Sequence, residues 1–209
     1  MKRYPKPIWA LSFVLALLAG YVDSLGFLSL GGFFVSFMSG NSTLLGIGIA
    51  SNWHQALTAA GLILTFVVGV ILGTIVSHRT RRRVTSLWLE TGFLLGAVIV
   101  HAIGDNDFAI PLMLLAMGAE NTLFHRDGEV SIGLTYMTGT LVKVGQHLAW
   151  AIQGYSAWGW VPYALLWLGL ILGAALGTMV FAAIGLQALW GAVVLSIICT
   201  VWASLQEID

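Results

Sequence analysis

"FMSGNSTLLG" occupies residues 37–46 and "YMTGTLVKVG" residues 136–145. Each runs aromatic, Met, Ser or Thr, Gly, polar residue, with a second Gly six positions after the first. Each lies inside otherwise apolar sequence. How these two stretches sit in a membrane decides the fold.

The membrane setting follows from composition. Hydrophobic residues make up 58% of the 209 residues and charged residues 9%. A soluble domain carries about 25% charged residues, and so few charges could not cover its surface. The apolar runs are long and continuous rather than alternating, which favours helices over a barrel. Formal net charge is zero, so no nucleic-acid partner is expected. The lone Cys199 excludes an intrachain disulfide and reads as inert packing. The basic start followed by an apolar run could be a secretory signal, but the run continues to Leu30 and is read as a retained first helix.

The motif belongs to a longer repeat. "LLAGYVDSLGF" (17–27) aligns with "LLAMGAENTLF" (114–124), placing Asp23 on Glu120. "GVILGTIV" (69–76) aligns with "GAALGTMV" (173–180). With the opening motif, the offsets are 97, 99 and 104. Ordered matches of this kind indicate a duplication, 1–104 and 105–209, within a single membrane domain. Strong apolar segments fall at 8–30, 56–77, 85–104, 108–124, 160–184 and 187–205. Each is near the roughly 20 residues that span a bilayer. Segments 32–50 and 132–152 carry the motifs and are too polar to face lipid.

Lys and Arg mark the cytoplasmic side. Lys2, Arg3 and Lys6 form one cluster; Arg79, Arg81, Arg82 and Arg83 form the next. If both are inside, segment 32–50 enters from outside and returns. The expected fold is an all-α integral membrane protein of about six transmembrane helices in two inverted repeats, each with an additional broken or re-entrant helical segment. Eight full spans with parallel halves is the rival arrangement. The expected location is the bacterial inner membrane, multi-pass, with both termini cytoplasmic. The lipid bilayer is the partner implied, and a homo-oligomer is left open.

Backbone exposed by a Gly-centred break must be satisfied within protein or by water. Ser39-Gly40-Asn41 and Thr138-Gly139-Thr140 are read as starts of two half-helices, regular by Ser42 and Leu141, capped by their own hydroxyl and amide side chains. Their N-termini would face one polar site near the midplane. Alternatively, the small residues only permit close helix packing.

Asp23 lies on a small, polar stripe with Ser12, Ala16, Ala19 and Gly20. An acid at such depth carries protons or contacts a cation, or it caps a helix start. Glu120 holds the matching place, with Asn121 beside it. Lys143 and His147, one turn apart, bind an anionic group or snorkel to an interface. Glu90 is read as a structural partner of the Arg cluster. Gly61, Gly69 and Gly73, like Gly169, Gly173 and Gly177, form a close-packing seam. Trp158, Trp160 and Trp202 suit interfacial belts. No G-x-S-G elbow with a facing His is present, and His54, His78, His101 and His125 lack metal-ligand spacing. No enzyme, metal or cofactor is therefore expected.

"GYVDSLGFLSLGGFFVSFMSGNSTLLG" with "MGAENTLF…TYMTGTLVKVGQHLA" resembles the YoaK family, the DUF1275 domain, over nearly the whole chain. The resemblance implies a bacterial inner-membrane protein with about six spans and names no substrate. The family's second motif usually reads GLQNA, whereas this chain has Gly118-Ala119-Glu120-Asn121-Thr122. Glu120 is then a local variation, which weakens a mechanism needing two acids.

The function expected is a small secondary transporter or channel-like permease for a polar small molecule or ion. Its site would comprise Asp23, Ser39, Gly40, Asn41, Glu120, Asn121, Thr138, Gly139, Thr140 and Lys143. The alternative is a membrane scaffold or assembly factor without transport.

Overall fold

The computed structural model describes residues 6–82, 84–123, 125–126, 129–130 and 133–206. Lys2, Arg3 and Arg83 of the two basic clusters lie outside them. The described residues form eight α-helices: α1 (Lys6–Ser29), α2 (Met38–Ser51), α3 (Trp53–Thr80), α4 (Thr85–Ala102), α5 (Asn106–Glu120), α6 (Met137–Ile152), α7 (Val161–Ile184) and α8 (Leu189–Leu205). A two-residue antiparallel ladder, His125–Arg126 with Glu129–Val130, follows α5.

Four stretches are long and apolar enough to cross a membrane: Ile8–Ser29, Trp53–Thr80, Thr85–Ala102 and Val161–Leu205. The last contains both α7 and α8, which meet at a 3₁₀ turn, Gly185–Ala188. The described part of the chain is thus an all-α membrane protein. The motif helices are shorter. α2 has 14 residues and α6 has 16, about 21 and 24 Å at 1.5 Å per residue, against a hydrocarbon core of about 30 Å.

α1 and α5 occupy the interior. Leu11, Leu15, Leu18 and Leu25 of α1 and Met113, Leu114 and Met117 of α5 are fully buried. α3 and α7 lie outside them and expose Leu64, Val68 and Ile71, or Leu168, Leu172 and Leu176. Such an apolar exterior suits lipid, not water.

The two outer helices meet the two inner ones crosswise, through glycine. A Cβ at Gly69 of α3 would lie 2.8 Å from the Leu115 Cα on α5, and one at Gly73 would lie 2.9 Å from the Ala119 Cα. On the other side, Gly173 of α7 meets Leu17 of α1, and Gly177 meets Tyr21 and Ser24. Only the absence of side chains lets the backbones come this close. Gly61, expected in the seam, meets nothing within 4 Å.

These contacts also correct the alignment. Leu17 and Leu115, Tyr21 and Ala119, and Ser24 and Thr122 take equivalent places, each 98 residues apart. The matching letters favour 97, but packing uses 98. The residue at the Asp23 place is therefore Asn121, not Glu120.

Candidate functional site

After α1 the chain turns at Gly31 and Gly32, both with positive φ (64° and 116°), a conformation glycine adopts at no steric cost. It then runs back along α1 without helical structure to Phe37. Gly26 makes room for this, since a Cβ there would lie 2.5 Å from a methyl of Val35. The Val35 and Ser36 N–H groups consequently reach Asp23, donating to its Oδ1 at 2.8 and 2.7 Å. Asn41, one turn into α2, donates to the Phe34 carbonyl at 2.7 Å and accepts from the Phe34 N–H at 3.0 Å. The first break is satisfied by one carboxylate and one amide.

Neither motif caps itself as the sequence suggested. α2 and α6 start at Met38 and Met137, about one turn early, after Phe37 and Tyr136, with no side-chain cap at either start. The Ser39 and Thr138 hydroxyls already lie inside the helix, too late to reach its first amides. Asp23 from the preceding helix instead holds the extended segment before α2, accepting from the Val35 and Ser36 N–H groups rather than from the helix's first amides.

The second break repeats the backbone pattern. Met137 N–H bonds the Thr135 carbonyl at 2.9 Å, as Met38 N–H bonds that of Ser36 at 3.0 Å. Its tie to the preceding helix differs. The Thr135 hydroxyl donates to Asn121 Oδ1 at 3.0 Å, while the Asn121 amide donates to the Met117 carbonyl at 2.8 Å. At the Asn41 place stands Thr140, whose hydroxyl returns to Tyr136 of its own segment at 3.2 Å.

The two breaks meet. A cavity of about 510 Å³ is lined by Ser36, Phe37, Met38 and Ser39 from one and by Thr135 to Gly139 from the other, with Phe66 of α3 behind them. A second cavity of about 530 Å³ shares Ser36, Phe37, Thr135 and Met137 as walls and reaches Asp23, Ser24 and Thr178. Both are lined mainly by apolar side chains, with hydroxyls and one carboxylate among them. Phe27, Phe34 and Phe37 pack in sequence beside the first break, the first pair tilted and the second edge-to-face, centroids 4.9 and 5.1 Å apart.

The expected site residues thus divide. Asp23, Ser39, Thr138 and Gly139 line the cavities. Asn41 and Asn121 tie the breaks down, Gly40 leaves room for the Phe34 and Phe37 rings, and Thr140 bonds only within its own segment. Lys143 is exposed on α6 with its Nζ 5.6 Å from the Tyr163 ring centroid. His147 stacks on the same ring at 5.1 Å. Neither lines the two cavities.

Glu120 lies elsewhere, fully buried against α4. Glu90, expected to meet the Arg cluster, is also fully buried and faces Glu120. It points inward because Leu87, Glu90, Thr91 and Leu94 form the buried face of α4. Beside them the Thr91 hydroxyl contacts those of Ser196 and Thr200 on α8, at 2.7 and 3.1 Å. Sequence reading missed this cluster and the cavity walls Ser36 and Thr135. The polar pairs Ser86/Glu90 and Ser196/Thr200, each at helical spacing within an apolar span, were the available signal. Among the described residues no group of three His, Cys, Asp or Glu side chains is placed to hold a metal ion.

Apolar helices with an apolar exterior, interrupted by two polar breaks, define a multi-pass helical membrane protein. The family model described as "Protein of unknown function (DUF1275)" matches residues 11–202, and the chain belongs to that family. It is 31% identical over 182 residues to UPF0700 transmembrane protein RA0705 of Rhizobium meliloti, covering 87% of this chain and 79% of the relative. It is 31% identical over 144 residues to UPF0700 transmembrane protein YoaK of Bacillus subtilis, covering 63% of each. No solved structure matches the chain.

Proposed function

We propose that this protein is a small secondary transporter or channel-like permease of the bacterial inner membrane, with six spans in two inverted halves. The observation that carries the reading is the shared cavity: Ser36–Ser39 and Thr135–Gly139 come from distant parts of the chain and line one space. Broken helices meeting at a common cavity are how inverted-repeat transporters build substrate sites. The crosswise glycine contacts, equivalent at a spacing of 98 residues, support two similar halves that interlock. The mixed lining favours a small solute with both a polar group and an apolar body. Asp23 acts as the fixed anion that holds the first break open rather than as a mobile proton carrier, since its Oδ1 already accepts two backbone N–H groups.

A thermal-shift screen of the purified protein against small metabolites and ions tests the reading. A solute that raises the melting temperature, with the rise lost when Thr138 is replaced by Val, supports it. Stable co-purification with another protein and no solute response returns the scaffold alternative. Cysteine labelling tests the orientation: residues 79–82 should be inaccessible from outside intact cells and residues 104–107 accessible. The reverse pattern overturns the inverted arrangement.

A further inference from the structure

We propose that Glu90 and Glu120 together form a proton-binding site, sealed between α4, α5 and α8 and separate from the cavities at the two breaks. Both side chains are 0% exposed. None of their four carboxylate oxygens has a hydrogen-bond partner. The titratable groups facing the pair are each carboxyl for the other and the buried Cys199 thiol of α8. The Ser196 hydroxyl lies beside Glu90 and contacts the Thr91 hydroxyl at 2.7 Å.

Two ionised carboxylates in this place would oppose each other, and each would carry the full cost of leaving water. Glu120 is also the last residue of α5, where the negative end of the helix dipole disfavours an anion. One proton changes the balance. It removes one of the two charges, and with it their mutual repulsion and one of the two desolvation costs. Among the described residues no third acidic, His or Cys side chain joins the pair to make a metal-binding group. A proton is the cation that two carboxyl groups can hold unaided. A structural role alone would be served as well by neutral or apolar side chains.

The pair is also connected to the cavities. Glu120 immediately precedes Asn121, which accepts from the Thr135 hydroxyl, and Thr135 lines both cavities. Gaining or losing the proton at Glu120 therefore acts next to the residue that ties down Thr135, a wall of the second break. This link to transport, though not the proton site itself, rests on the function proposed above.

Infrared spectroscopy of the full chain in lipid nanodiscs tests the site. The chain contains Glu90, Glu120, Glu129 and Glu207, so an E129Q/E207Q background leaves only the pair. With glutamate ¹³C-labelled at the side-chain carboxyl, a protonated-carboxyl band is expected at neutral pH, shifted by the label and lost on alkalinisation. Adding E90Q and E120Q should abolish it. Absence of a label-sensitive protonated band in the E129Q/E207Q protein overturns the proposal, and this measurement leaves the pair intact. Proteoliposomes separate the two readings. A labelled band without proton-driven flux of any solute keeps the proton site and removes the transporter. Flux without the band removes the proton site and keeps the transporter.

Discussion

The two breaks share a backbone pattern but differ in what holds them. At the first, the Asp23 carboxylate takes two backbone N–H groups and Asn41 clasps Phe34 from both sides. At the second, a single bond between neutral side chains, Thr135 to Asn121, makes the corresponding tie. Hydrogen bonds to a charged group are worth roughly 1.5–3 kcal/mol and neutral ones about 1 kcal/mol. The first break is a fixed wall and the second the looser one. On the transport function proposed above, such inequality assigns the moving part: solute entry or exit should displace the Thr135–Gly139 segment before Val35–Ser39.

The largest expected effect is at Asp23. Asp23→Ala leaves two N–H groups without their acceptor and should destabilise by about 3 kcal/mol. Asn121→Ala removes one neutral bond to the second break and should cost about 1 kcal/mol. Unfolding by denaturing detergent, followed by Trp fluorescence, measures both. Equal losses would end the distinction between a fixed and a loose break.

Asn41 and Thr140 come next. Asn41→Ala removes both bonds to Phe34 and should cost about 2 kcal/mol. Thr140→Ala removes only a hydroxyl bonded within its own segment, and the cost should stay within about 0.5 kcal/mol. Hydrogen exchange sharpens the comparison: Asn41→Ala should raise exchange at residues 34–38, while Thr140→Ala should leave residues 133–137 unchanged. Faster exchange at the second break in the Thr140 variant would show that it too depends on its amide-place residue.

Much of this architecture was legible in the sequence because apolar length is a strong signal. The expected 8–30, 85–104 and 160–184 became Lys6–Ser29, Thr85–Ala102 and Val161–Ile184. The breaks were legible because Gly beside Ser, Thr and Asn is conspicuous among Leu and Ile. What holds them was not. A side chain next to a break is the economical guess, whereas the actual acceptor lies 12 residues before Val35 and becomes its neighbour only after the turn at Gly31 and Gly32. The slip from 98 to 97 has a similar origin. In helices rich in Leu and Ala a one-residue shift still matches many letters, and only the seam contacts of Gly73 and Gly177 reveal the register. The Glu90–Glu120 pair was hidden because the α4–α5 hairpin joins positions that no local pattern connects.

The motif glycines give small effects that differ in sign. A Cβ at Gly40 would meet the Phe37 ring at 2.6 Å and the Phe34 ring at 2.9 Å. The two rings pack edge-to-face against each other and Asn41 clasps the Phe34 backbone, so they yield poorly. Alanine is the better helix former by up to about 1 kcal/mol, but the overlap costs about 1–3 kcal/mol, and Gly40→Ala should be destabilising by about 1 kcal/mol. At Gly139 an added Cβ meets nothing within 4 Å. There only the helix term remains, and Gly139→Ala should be neutral or more stable by up to about 1 kcal/mol. The same methyl projects from a residue that lines the shared cavity. The variant should therefore keep its melting temperature without solute and show a smaller thermal shift with any solute that stabilises the parent protein. A loss of stability in Gly139→Ala would mean that the second break is packed as tightly as the first. An unchanged solute shift would place binding outside the cavity that the two motifs share.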